Sequence, residues 1–148
     1  MSLTYESAEA LFKTARFPLK GKPIANNTRL HMDTDGHFVV TLHGHAIIII
    51  TKYEYILCDC GWPTLTTKNR MNEFTPFLVY QRDWEWYCVA DMLGKELTLQ
   101  FKEESAMNDG SPVVVSFFCS NEFHNPGRTV SVPVMPTHTK KLLGMKGE

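Results

Sequence analysis

At 148 residues and 43% hydrophobic content, the chain has the length of one domain and enough apolar residues for a single core. Its 15 Lys and Arg against 16 Asp and Glu leave a formal charge of −1, without the basic excess of a nonspecific nucleic-acid binder. No apolar run approaches the roughly 20 residues of a spanning helix, and "MSLTYESAEALF" lacks the cationic and then apolar order of a secretory signal, so a cytoplasmic protein with its four cysteines as thiols is expected.

Residues 4–16 read as a helix, because Ala8, Leu11, Phe12 and Ala15 form one apolar stripe and Thr4 can cap it. Pro18 is expected to stop that helix, and "PLKGKPIANN" reads as loop. Strands then follow at turn-separated intervals: "TRLHM", a turn at Asp35-Gly36, "HFVVTLH", a turn at Gly44-His45, "AIIIITK" and "YEYILCDC". The unbroken isoleucine run suits a strand buried on both faces.

Pro63 breaks the sheet pattern, and a short helix from Thr67 to about Phe74 is predicted, capped by Thr66 or Thr67, with Met71 and Phe74 inward. "FLVYQ" and "WYCVA" flank Arg82-Asp83-Trp84-Glu85 as a second hairpin. "ELTLQF" and "PVVVSFFCS" are further strands separated by a polar loop, and "RTVSVPV" is an edge strand because of Pro133. The expected fold is α+β: an antiparallel meander sheet with the N-terminal helix and the short helix packed on it. Residues 1–134 would form one domain and 135–148 a flexible tail.

Three clusters could carry chemistry. His43 and His45 lie in a strand neighbouring that of Cys58 and Cys60, a possible S₂N₂ zinc set, although one residue between cysteines is not a knuckle spacing. The start of the short helix, with Thr66, Thr67, Lys68 and Arg70 after Trp62, is a candidate anion site. Trp84 and Trp86 would share one strand face and could meet a partner, while the plain alternative is that they are core. "HMDTDGH" is better explained as a turn than as a ligand line. No G-x-S-x-G, Walker-type or H-E-x-x-H motif invites an enzyme assignment, and no cofactor is expected.

The order of "NNTRL", "HFVVTLHGHAIIII", "CGWPTLTTKNRMN" and "VYQRDWEWYCV" resembles a family of small bacteriophage proteins with no assigned activity, over roughly residues 4–90. The chain departs from that pattern at Cys60, where the family has a glycine, and across Leu42 to Ala46. The resemblance implies a phage origin and a setting in the bacterial host cytoplasm. The leading expectation is a non-enzymatic accessory protein that binds a host or phage protein or a second copy of itself, away from any membrane. The alternative is a nucleic-acid or nucleotide binder, with Arg29, Lys68, Arg70 and Arg82 on phosphates and Trp84 or Trp86 stacking on bases. A zinc-dependent hydrolase comes third.

Overall fold

The computed structural model describes residues 2–61, 63–92, 94–103 and 128–134. Helix α1 (Tyr5–Phe12) starts with a reciprocal cap: the Thr4 hydroxyl accepts the Ser7 N–H and the Ser7 hydroxyl accepts the Thr4 N–H. It stops at Phe12, short of the expected residue 16. There the Thr14 hydroxyl donates to the Leu11 carbonyl at 2.6 Å, and the N–H groups of Thr14 and Ala15 reach only three residues back, which tightens the last turn. Pro18 opens a short 3-10 turn (Pro18–Lys20) instead of ending the helix.

The stretch expected to be loop contains strand β1 (Lys22–Ala25), whose Pro23 is tolerated because β1 is an edge. Four more strands follow: β2 (Thr28–Met32), β3 (Phe38–Leu42), β4 (His45–Ile50) and β5 (Glu54–Cys58). Each pairs antiparallel with the next, the meander that the turn spacing predicts. Helix α2 (Leu65–Phe74) leads to β6 (Leu78–Arg82), β7 (Glu85–Met92), β8 (Lys95–Gln100), β9 (Lys102–Glu103) and β10 (Arg128–Pro133). The fold is α+β, as expected, but the strands divide between two antiparallel sheets. Sheet A has the order β1-β2-β3-β4-β5-β10-β9, and sheet B is β6-β7-β8.

β9 falls where a loop was predicted, and it turns the end of sheet B into the edge of sheet A. At that corner Phe101 is buried, stacks edge-on with Trp86 and donates its N–H to the Trp86 carbonyl at 2.9 Å. β10 lies between β5 and β9 and is therefore internal at Arg128 and Thr129; Pro133 sits at its far end. The predicted strand at 112–120 and the tail at 135–148 lie outside the described residues.

All four isoleucines of β4 are buried. Their register explains how. Val40 pairs with Ile48 while Thr41 pairs with Ala46, so Ile47 is the extra residue of a bulge. Ile47 joins Ile48 and Ile50 in the main core, with Phe38, Leu57 and Val130 from neighbouring strands. Ile49, Val39 and Ile56 occupy the opposite face and are also fully buried. Each such side chain contributes about 1.5–3 kcal/mol relative to exposure.

Both helices cover the Phe38 face. Tyr5 and Phe12 of α1 meet the Phe38 ring at 5.1 and 6.0 Å, and Met71 and Phe74 of α2 are fully buried, as predicted. The Asn72 side chain makes a two-way pair with β6, accepting the Val79 N–H at 2.7 Å and donating to the Val79 carbonyl at 3.1 Å.

Gly21, at φ 84° and ψ 159°, has a backbone that only glycine adopts readily, and a Cβ there would lie 2.6 Å from the His31 ring. His31 Nε2 is 3.1 Å from the Thr41 hydroxyl. Burial, and then the neighbouring Arg29 charge, hold its imidazole below the ordinary histidine pKa.

Candidate functional site

A cleft of about 360 Å³ opens where the β3–β4 turn, the end of β5 and the start of α2 converge. Its first wall is a two-residue hairpin turn, His43-Gly44, with both residues left-handed at φ 53° and 83°. Leu42 and His45 flank that turn and line the cleft together with Ile47.

The second wall is Asp59 and Cys60. The β-alternation invoked for Cys58 and Cys60 ends at Cys58, and Cys60 is left-handed at φ 54°. The Cys60 thiol donates to the Ala46 carbonyl at 2.9 Å, and its N–H points at the Cys58 sulfur at 3.2 Å. The Cys58 thiol is pushed strongly up, first by its hydrogen bond with Cys60 and then by burial. His43, His45 and Cys60 thus share a cleft, whereas Cys58 is turned into the core. Among the described residues, the trio of ligand atoms within 4.8 Å of one another is Asp33, Asp35 and His37. There the Asp33 carboxylate accepts the N–H groups of Asp35 and His37 and closes the β2–β3 turn.

The third wall is the start of α2. The helix begins at Leu65, two residues before its expected start, and its cap is Thr64, whose hydroxyl accepts the Thr67 N–H at 3.2 Å. Thr64 and Thr66 are exposed and Thr67 is buried, with its hydroxyl 3.0 Å from that of Thr64. All three line the cleft.

The cations expected beside them are turned away. Lys68 reaches the Gln81 side chain at 3.2 Å and lies 5.5 Å over the Trp86 ring. Arg70 donates to the Thr28 hydroxyl at 3.0 Å and to Glu73 at 3.2 Å, fastening α2 to the β1–β2 turn. Arg29 donates to the Lys20 and Gly21 carbonyls, both at 3.3 Å. Arg82 is solvent-exposed, 3.9 Å from Asp83.

Trp84 and Trp86 do not share a face. The β6–β7 turn is Asp83-Trp84, with both residues left-handed, so Trp84 stands at the hairpin tip and is 84% exposed. Trp86 is buried in the core and unavailable for stacking on bases. Trp62 lies outside the described residues.

Sequence reasoning missed Asp59 and Arg128, which are 69 positions apart. Asp59 is buried; its carboxylate accepts the Gly61 and Arg128 N–H groups at 2.9 Å and the Arg128 guanidinium at 3.3 Å. The same guanidinium donates to Glu85 at 3.1 Å and to the Trp84 carbonyl at 3.3 Å. One arginine therefore ties the cleft wall to the hairpin that presents Trp84. Nothing local in the sequence marks such a pair.

Among the described residues, no helix is long and apolar enough to cross a membrane. No curated protein and no solved structure matches the chain. A family model described as Kyanoviridae Gp96 protein matches residues 6–111, a span that includes the whole cleft and the Trp84 hairpin. The chain belongs to the Kyanoviridae Gp96 family of phage proteins, as the ordered motifs from "NNTRL" to "VYQRDWEWYCV" indicate.

Proposed function

We propose that the protein acts by binding another protein, from the host or the phage, through the outer face and tip of sheet B. The observation that carries this reading is Trp84, which is 84% exposed on a turn whose two residues both adopt the left-handed backbone. A bulky side chain is strained there, and such strain persists where the surroundings hold it. Arg128, bonded to the Trp84 carbonyl, supplies that hold.

Behind the tip, the outward-facing residues of sheet B continue an apolar surface. Tyr80 and Tyr87, both half-buried, pair across β6 and β7 with rings stacked at 5.5 Å, and Leu78 opposite Val89 is exposed. An exposed tryptophan beside partly exposed tyrosines is a residue set of the kind that anchors protein interfaces. A nucleic-acid reading would need Arg29, Lys68, Arg70 and Arg82 as phosphate ligands; the first three make hydrogen bonds within the fold, which leaves Arg82 as the exposed cation of that set.

The test is affinity capture from lysate of infected cells with wild-type protein and with Trp84→Ala, followed by mass spectrometry. A stoichiometric protein partner that the wild type retains and Trp84→Ala loses is the expected result. Equal recovery by both, or no protein partner at all, would count against the reading.

A further inference from the structure

The cleft beneath the β3–β4 turn presents mostly apolar surface, with His43, His45, Asp59 and three threonines also among its lining residues. Leu42 and Ile47 are 5% and 2% exposed, and Cys60 has already committed its thiol to the Ala46 carbonyl. Packed interiors avoid empty volumes of this size, because atoms lining a void forgo dispersion contacts. Ligand pockets, by contrast, begin at roughly 300 Å³ and combine apolar walls with a few convergent polar groups. Here the exposed polar groups of the lining are His43, Thr64 and Thr66.

Charge narrows the ligand class. Asp59 lines the cleft, but its carboxylate is compensated by Arg128 and by the Gly61 N–H. Lys68 and Arg70 are engaged elsewhere, and among the described lining residues there is no lysine or arginine. A phosphate would have only the α2 N-terminus and the threonine hydroxyls to balance its charge, without a cationic side chain.

We infer that this cleft binds a small, uncharged, mostly apolar molecule of aromatic-ring size, seated on Leu42 and Ile47 and hydrogen-bonded at the mouth by His43 and Thr66. The inference rests on other residues than the protein partner proposed for sheet B, since neither Trp84 nor the sheet B tyrosines line the cleft.

The test is an NMR titration of the full-length protein with indole and, separately, with inorganic phosphate. Indole should move the Leu42 and Ile47 methyl and Cys60 amide resonances saturably and give intermolecular contacts to the Ile47 methyls; phosphate should leave them in place. Thr66→Trp, which fills the mouth from an exposed helix position, should weaken indole binding about tenfold with an unchanged thermal midpoint. The inference is overturned if indole produces no saturable shift at these residues, if phosphate moves them instead, or if a normally folded Thr66→Trp protein binds indole like the wild type. The contacts to Ile47 in the wild type decide the matter even if that variant is unstable.

Discussion

Sheets A and B are both antiparallel and meandering, yet they are buried very differently. Along β3 every residue is buried, and along β4 all but His45; along β8 all but one are exposed. The difference lies in coverage. Sheet A's central strands are shielded on both faces, so they need apolar residues at successive positions. Sheet B places Val79, Trp86 and Cys88 inward and leaves Tyr80, Tyr87 and Leu78 facing out, the alternation of a sheet with one wet side. Stability should therefore reside mainly in A, and recognition in B.

That division can be broken by substitution. Ile48→Ala, at a fully buried position of sheet A, should cost about 4 kcal/mol in denaturant unfolding, the upper range for truncating a core isoleucine. A loss near zero would place the stabilising core elsewhere.

Asp59→Ala probes the link between the sheets and should cost about 3 kcal/mol, because it removes the acceptor of the Gly61 and Arg128 N–H groups and one of the two carboxylates that hold the Arg128 guanidinium. Adding Arg128→Met to it should recover part of the loss. If the two losses simply add, the pair does not act as the tie described.

Gly21→Ala, at the margin of sheet A, should cost about 2 kcal/mol from backbone strain, and the contact with His31 can only add to it. Wild-type stability in the same assay would show that the turn relaxes freely.

His31 gives a smaller, pH-dependent effect. Its folded pKa lies below the unfolded value of 6.5, so on acidification the unfolded chain takes up the proton first. The stability associated with neutral His31 is complete above that value and declines as pH falls through it. His31→Gln should flatten this part of the urea-midpoint profile between pH 7.5 and 5; an unchanged profile would mean that His31 does not carry the slope.

Leu78→Ser, on the 57%-exposed outer side of sheet B, should change stability by less than about 0.5 kcal/mol. A large loss would mean that this face is structural and would undercut its role as a binding surface.

Much of this arrangement was legible from residue order. The β2–β5 meander follows from alternation and turn residues, and the buried isoleucine run was plain from its composition. What escaped depended on which of several similar groups wins a contact. Thr64, Thr66 and Thr67 look alike as caps, and only the extended backbone at Thr64 selects the first. Trp84 and Trp86 share a parity, but a left-handed turn at Asp83-Trp84 sends one to solvent and leaves the other in the core. Lys68 and Arg70 carry the right charge for an anion site, yet long side chains reach partners that sequence spacing does not reveal. The Asp59–Arg128 tie is the extreme case, since pairing over such a separation exists only after β10 has added beside β5.

The Asn72 amide has a consequence for how sheet B can be approached. By occupying both main-chain groups of Val79, it closes one rung of the β6 border that an incoming extended chain would otherwise use as a template. Generic strand addition is thereby discouraged on that side. A partner is left to read the tyrosines and the tip tryptophan by shape, a requirement that favours a selective complex over indiscriminate stacking of copies.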